Sequence, residues 1–286
     1  MNPKPTILDE ILAEVRKEIA TAKQARPLSE LQRMLADAPP VRPFKAPLSA
    51  RFGLIAEIKE RSPSQGEMRR ENVQRAAAAY EQSGLVRGIS VLTNQSHFGM
   101  NIERLRQVKL NGSKPVLRKD FLFDEYQVYE ARAFGADAVL LMANVLNAEE
   151  MERLFALCRT LGMAALFECH DREQIARVPA EAEIYGINSR TFATDSGTYR
   201  AARADRAAGA QRDFTTDLSR FELGLELPDR AVKVAESGVH PDNVAAIRQQ
   251  GIFHAVLVGT SLLTAKEGIE IALSNFEGAL AASRTN

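Results

Sequence analysis

Tryptophan is absent from this 286-residue chain, cysteine occurs only twice and histidine only four times. Two cysteines, Cys158 and Cys169, make neither a disulfide framework nor a metal cluster, so reduced thiols in a cytoplasmic protein are the expectation. His97, His240 and His254 lack metal-ligand spacing, and His170 reads as the start of a helix, so no metal is expected. No apolar run approaches the roughly 20 residues that cross a bilayer, which argues against a membrane partner. Acidic residues in "MNPKPTILDEILAEV" stand where a signal peptide would be apolar. Charge of one sign is missing too. Thirty-seven basic residues balance 37 acidic ones, which leaves no broad basic face for nucleic acid. A small local anion site stays open.

What is present is ordinary for a soluble globular protein, with 45% hydrophobic and 26% charged residues. Residues 6–23 read as a helix, with Leu8, Ile11, Leu12, Val15 and Ile19 on one face. "LSELQRMLA" reads as a second helix and the Pro-rich "DAPPVRPFKAPLSA" as a linker, so residues 1–50 form an N-terminal helical extension and linker. From residue 51 the pattern changes. Eight short apolar runs follow: "GLIAEI", "GISVL", "PVLR", "DAVLLM", "MAALFE", "IYGI", "VKVAE" and "AVLVG". Amphipathic stretches separate them, and Asp171 with Gln174 has the spacing of a capping box. Runs apolar on both faces, alternating with helices, predict a parallel sheet, and eight units predict an α/β fold closed as a (β/α)8 TIM barrel over 51–286. An open doubly wound sheet would show a Gly-rich turn after the first run, and "EIKERSPSQG" is not one. The sixth and seventh runs are spaced far apart. The excess, "TFATDSGTYRAARADRAAGAQRD", predicts an insert at about 191–212, helix or loop, on the C-terminal face of the barrel.

In such a barrel the chemistry sits at the C-terminal strand ends. Those ends read Glu57-Ile58-Lys59, Arg118-Lys119-Asp120, Glu168-Cys169-His170, Asn188-Ser189-Arg190, Glu236-Ser237-Gly238 and Gly259-Thr260-Ser261. Strand side chains alternate, so Glu57 shares a face with Lys59, Glu168 with His170, and Asn188 with Arg190. Lys119 is expected to point into the mouth and Arg118 toward the surrounding helices. Burial lowers a lysine pKa and a nearby carboxylate raises it, a balance that can bring its proton transfer near neutral pH. One lysine or glutamate at a strand end is as readily a structural ion pair. Several together at one rim make a reaction site the better reading. Gly238 and Gly259 let backbone approach a ligand, and "GTSLLTA" offers N–H groups for an anion. Phe98 and Phe121 are candidates for stacking on an aromatic group, with core packing as the simpler explanation.

The segments "IAEIKERSPSQG", "ISVLT", "PVLRKDFLFDEYQVYEARAFGADAVLL", "GIN", "AESGV" and "AVLVGTSLL" resemble, in order, the signatures of the indole-3-glycerol-phosphate synthase family. "ILDEILAEVRKEI" resembles its N-terminal helix. The resemblance implies ring closure of 1-(o-carboxyphenylamino)-1-deoxyribulose 5-phosphate in tryptophan biosynthesis, with loss of carbon dioxide and water. It implies no cofactor, and as partner only a small phosphosugar-aryl substrate. Oligomeric state stays open, with a monomer as the expectation. By the same resemblance Lys119 protonates the carbonyl oxygen and Glu168 is the acid–base group. Lys59 holds anionic groups, Glu57 orients the lysines, and Asn188 and Ser237 position the reacting part. Ser62, Arg190 and Glu236 contact substrate, Gly238, Gly259 and Thr260 cradle phosphate, and Phe98 and Phe121 form the wall for the aromatic ring. Three features depart from the family: Ser189 where Asn is usual, the long insert, and "FECH" in place of Val-Glu-Val-His. Phosphoribosylanthranilate isomerase, a related barrel, needs a cysteine at the first strand end that this chain lacks. A catalytically silent phosphate-binding barrel, serving as a binding or assembly subunit, is the alternative of a different class.

Overall fold

The computed structural model describes residues 7–190 and 216–283, so the insert predicted at 191–212 lies outside the described residues. All eight predicted runs are strands: β1 Gly53–Ile58, β2 Val86–Leu92, β3 Val116–Lys119, β4 Ala138–Met142, β5 Ala164–Cys169, β6 Ile184–Asn188, β7 Val232–Glu236 and β8 Ala255–Val258. They close into one barrel in which β1 pairs with both β2 and β8. Every position of β1, β4, β6, β7 and β8 is buried, as strands with side chains packed inside and helices outside must be. The register pairs Leu92 with Lys119, Met142 with Glu168, Asn188 with Glu236, and Leu257 with Glu236. Polar residues far apart in the chain thus reach the same rim.

Helix starts obey local chemistry. Asp124 and Asn147 cap Glu125–Ala133 and Ala148–Thr160 through full capping boxes. Asp171 Oδ1 accepts the Gln174 amide at 2.8 Å, and Gln174 Oε1 turns back to accept the His170 amide at 2.9 Å. Among the described residues no helix is long and apolar enough to cross a membrane.

The first helix runs Ile7–Ala25 and buries Ile11, Val15 and Ile19 of the predicted stripe. It lies against the rim: Glu18 Oε2 accepts Asn94 Nδ2 at 2.9 Å, and Lys23 Nζ meets Asp124 Oδ2 at 2.6 Å. The second helix, Leu28–Met34, follows. The structure departs from the expected linker in one respect, because Lys45–Ala50 is helical. Pro47 sits in its first turn, where a missing N–H forfeits no bond, so the proline that reads as a breaker is tolerated. Phe44 and Leu48 are buried, and Phe44 underlies β2 at Gly88, where a Cβ would come 3.1 Å from Phe44 Cε2. Asp137, fully buried beside β4, holds this stretch to the barrel. Its carboxylate accepts the Arg42 amide at 2.5 Å, Lys109 Nζ at 2.6 Å and the Val116 amide at 2.7 Å. Arg42 in turn donates to the carbonyls of Lys109, Gly112 and Lys114.

After β1 a small hairpin, Arg61–Ser62 with Gly66–Glu67, was not foreseen. On either side of residues 191–215, Arg190 and Thr216 form an antiparallel bridge, and the Asp217 amide donates to the Ser189 carbonyl at 2.8 Å.

Candidate active site

The strand ends surround a cavity of about 520 Å³. Every residue that the resemblance assigns to the site lines it: Glu57, Lys59 and Ser62 from β1 and its hairpin, Phe98 after β2, Lys119 and Phe121 from β3, Glu168 from β5, Asn188 and Arg190 from β6, Glu236, Ser237 and Gly238 from β7, and Gly259 and Thr260 from β8. Ile11 of the first helix also reaches it, which spacing alone did not suggest.

Alternation places the charges as the strand pattern requires. Lys59 Nζ lies 2.6 Å from Glu57 Oε1, two residues back on the same face. Lys119 Nζ lies 3.5 Å from Glu168 Oε2, across the mouth. Arg118, one residue earlier, turns outward and meets Glu130 at 2.9 Å and Asp120 at 3.2 Å. Asp120 also accepts Thr93 Oγ1 at 2.5 Å. The three consecutive charges of "RKD" therefore divide: Arg118 and Asp120 fasten β3 to its neighbours, and Lys119 serves the cavity. His170 Nε2 stands 3.7 Å from Glu168 Oε1, so it is a neighbour of the site as well as a helix start. Asn188 Oδ1 accepts the Arg190 amide at 2.9 Å, and the Arg190 guanidinium donates to Ser64 Oγ, with Ser62 Oγ 3.4 Å from Ser64 Oγ. The Phe98 and Phe121 rings are 6.4 Å apart at an interplanar angle of 31°, forming one apolar wall.

Burial and charge set the protonation states. Burial alone pulls the Lys119 ammonium down, but Glu168 and Glu57 outweigh it and hold its pKa above the ordinary lysine value. The sequence-based balance, a proton given up near neutral pH, is thereby corrected: Lys119 stays an ammonium. Lys59 is pulled below the usual range by burial, against which Glu57 works. Burial pushes Glu57 and Glu168 up, yet both end below the ordinary carboxylate value. Lys59 and Lys119 pull down the first, and Lys119 and His170 the second. Glu236 goes the other way. Buried, and facing Glu168, it is held protonated well above the carboxylate range.

Two glycines make this arrangement possible. Gly186 of β6 lies between the two glutamates, and a Cβ there would fall 1.9 Å from Glu236 Oε1. A Cβ on Gly259 would fall 2.4 Å from Glu57 Oε1, so this glycine also makes room for a carboxylate. Gly186 was missed from sequence. Its signal was available, since a lone glycine inside a strand marks close approach by another group.

A family model described as indole-3-glycerol phosphate synthase matches residues 8–200. The chain is similar to the indole-3-glycerol phosphate synthase of Kineococcus radiotolerans, with 37% identity over 92% of each chain. It is also similar to that of a Nocardioides species, with 39% identity over 90% of this chain and 93% of the other. Among solved structures, N-(5'-phosphoribosyl)anthranilate isomerase from Pyrococcus furiosus superposes with a TM-score of 0.54 at 13% identity, over 81% of this chain and 99% of that one, a likeness of fold alone. With two thirds of its length matched by the family model and relatives aligned nearly end to end, this chain belongs to the indole-3-glycerol phosphate synthase family.

Proposed function

We propose that this cavity converts 1-(o-carboxyphenylamino)-1-deoxyribulose 5-phosphate to indole-3-glycerol phosphate, carbon dioxide and water, with Lys119 as the acid and Glu168 as the acid–base group. The observation that carries the reading is the Lys119–Glu168 pair, 3.5 Å apart in one cavity that also holds the aromatic wall of Phe98 and Phe121. In the first step the aryl carbon that bears the carboxylate bonds to the ketone carbon. The ketone oxygen takes on negative charge and receives a proton from the Lys119 ammonium, which the surrounding carboxylates keep charged. Carbon dioxide then leaves from the same aryl carbon, its bonding pair restoring the aromatic ring. Loss of water follows: the hydroxyl departs with a proton, and the neighbouring carbon gives one up. Glu168, an ionised base touching the spent acid Lys119, suits that exchange, with Lys59 close to Glu57 for the departing oxygen.

Around this centre Asn188 and Ser237 position the reacting part, and Ser62 and Arg190 contact the substrate, Arg190 beside its carboxylate. Gly238, Gly259 and Thr260 take the phosphate, whose binding energy holds the reacting end in place. Residues 1–50 are the extension and 51–286 the catalytic barrel. Every group used comes from one chain, so a monomer suffices. Cys158 and Cys169 are free and buried, which fits a reducing cytoplasm. The test is turnover of the carboxyphenylamino-deoxyribulose phosphate, followed by indole fluorescence. Lys119→Ala should lower kcat by roughly 10²–10⁴-fold with a smaller change in KM. An unchanged kcat would remove Lys119 from the chemistry.

A further inference from the structure

We infer that Ser189 is a positioning residue for the phosphate cradle, acting through the carbonyl of Ser237. The inference rests on the reading of the loop after β7 as part of that cradle. Ser189 stands at the end of β6 and is completely buried. Its hydroxyl donates to the Ser237 carbonyl at 3.0 Å, and its own amide donates to the Glu236 carbonyl at 3.0 Å. Ser237 has φ 69°, and among the described residues it is the one non-glycine with positive φ. Gly238 follows at φ 68°. A left-handed conformation is disfavoured for a residue with a Cβ and persists when its surroundings fix it.

The next two carbonyls are held in the same manner. Gly238 O accepts Asn243 Nδ2 at 2.8 Å, and Val239 O accepts Ser261 Oγ at 2.9 Å. Three successive peptide planes are thus set by side chains from three different elements. In a trans peptide the N–H points opposite the C=O, so tying a carbonyl outward aims the following N–H the other way. The N–H groups aimed by Ser189 and Asn243 are those of Gly238 and Val239. Both residues line the cavity, and neither amide bonds to a described group. The third, His240 N–H, is already used by Asn243 Oδ1 at 2.9 Å. Ser189 therefore sets the first of these two donors, beside the one described non-glycine residue with positive φ.

The test uses the full-length enzyme, with inorganic phosphate as a competitive inhibitor. Ser189→Ala should raise both the phosphate Ki and the substrate KM by roughly five- to tenfold, the loss of one buried hydrogen bond, with kcat kept within about twofold. Ser189→Thr, which keeps a hydroxyl, should restore both. A folded Ser189→Ala with unchanged phosphate Ki, or with a loss confined to kcat, would overturn the inference. Should that variant fail to fold, Ser189→Cys keeps the volume with a weaker donor and should raise Ki by a smaller factor; no rise would again be decisive against it. Phosphate that does not compete even in the unmodified enzyme would instead sink the cradle reading itself.

Discussion

At the residue scale, the two facing glutamates divide one proton between them unevenly. Glu168 is ionised because Lys119 and His170 lie beside it, and Glu236 keeps its proton because burial and Glu168 oppose a second charge. Glu236→Gln imitates the protonated form, so it should keep most of the activity at pH 7, whereas Glu168→Gln should lose about 10²–10⁴-fold in kcat. Equal losses in the two would show that the proton has been placed on the wrong residue. Stability should report the same assignment. Above the ordinary carboxylate value of 4.5, an unfolded chain releases the Glu236 proton while the folded chain retains it. The folded state then binds more protons, and stability falls as pH rises through that window. Glu236→Gln should therefore melt above wild type at pH 7, with the gap closing near pH 4. Glu57 and Glu168 act in the opposite sense, since their depressed values add stability above 4.5 that is lost as pH falls. The strand ends could be read from the sequence because period-two alternation fixes which face a side chain takes. The proton on Glu236 was hidden, because it depends on a partner 68 residues away and on the space left by Gly186.

At the scale of elements, apolar runs covered on both faces identified all eight strands. The helix Lys45–Ala50 escaped because proline density masks so short a segment, and only its burial against the barrel explains it. The hairpin Arg61–Ser62/Gly66–Glu67 escaped because two-residue strands carry no periodic signal. The bridge between Arg190 and Thr216 brackets the insert predicted at 191–212, bringing the chain on either side of it together beside β6. Since loop length costs only logarithmically, deleting about 20 residues between them should leave cooperative unfolding intact, with the denaturation midpoint shifted little. A broad or lost transition in circular dichroism would show that the segment is structural.

For the molecule as a whole, the buried Lys109–Asp137 pair is a central fastening. Asp137 joins the N-terminal extension through Arg42, a helix through Lys109 and β3 through Val116. Burial lowers the Lys109 pKa and Asp137 opposes that, so the ammonium depends on its partner. Asp137→Ala should destabilise the fold by about 3–5 kcal/mol, because a buried charge loses its counter-ion, and urea titration would show it as a lower midpoint. Replacing the pair together, Asp137→Leu with Lys109→Met, should recover only the part due to the unpaired ammonium, because the Arg42 and Val116 amides still lose their acceptor.

The same fastening has a consequence for how the chain is made. The extension is synthesised first, yet its Arg42 contact lies 95 residues downstream and its Lys23 contact 101 downstream. At ribosomal speeds of about 5–20 residues per second, the nascent extension waits roughly 5–20 seconds before its docking surface exists. During that interval Ile11 and Val15 lack the surface that buries them in the finished fold, and the strap can dock once residues 124–137 exist, before β5 to β8 are made.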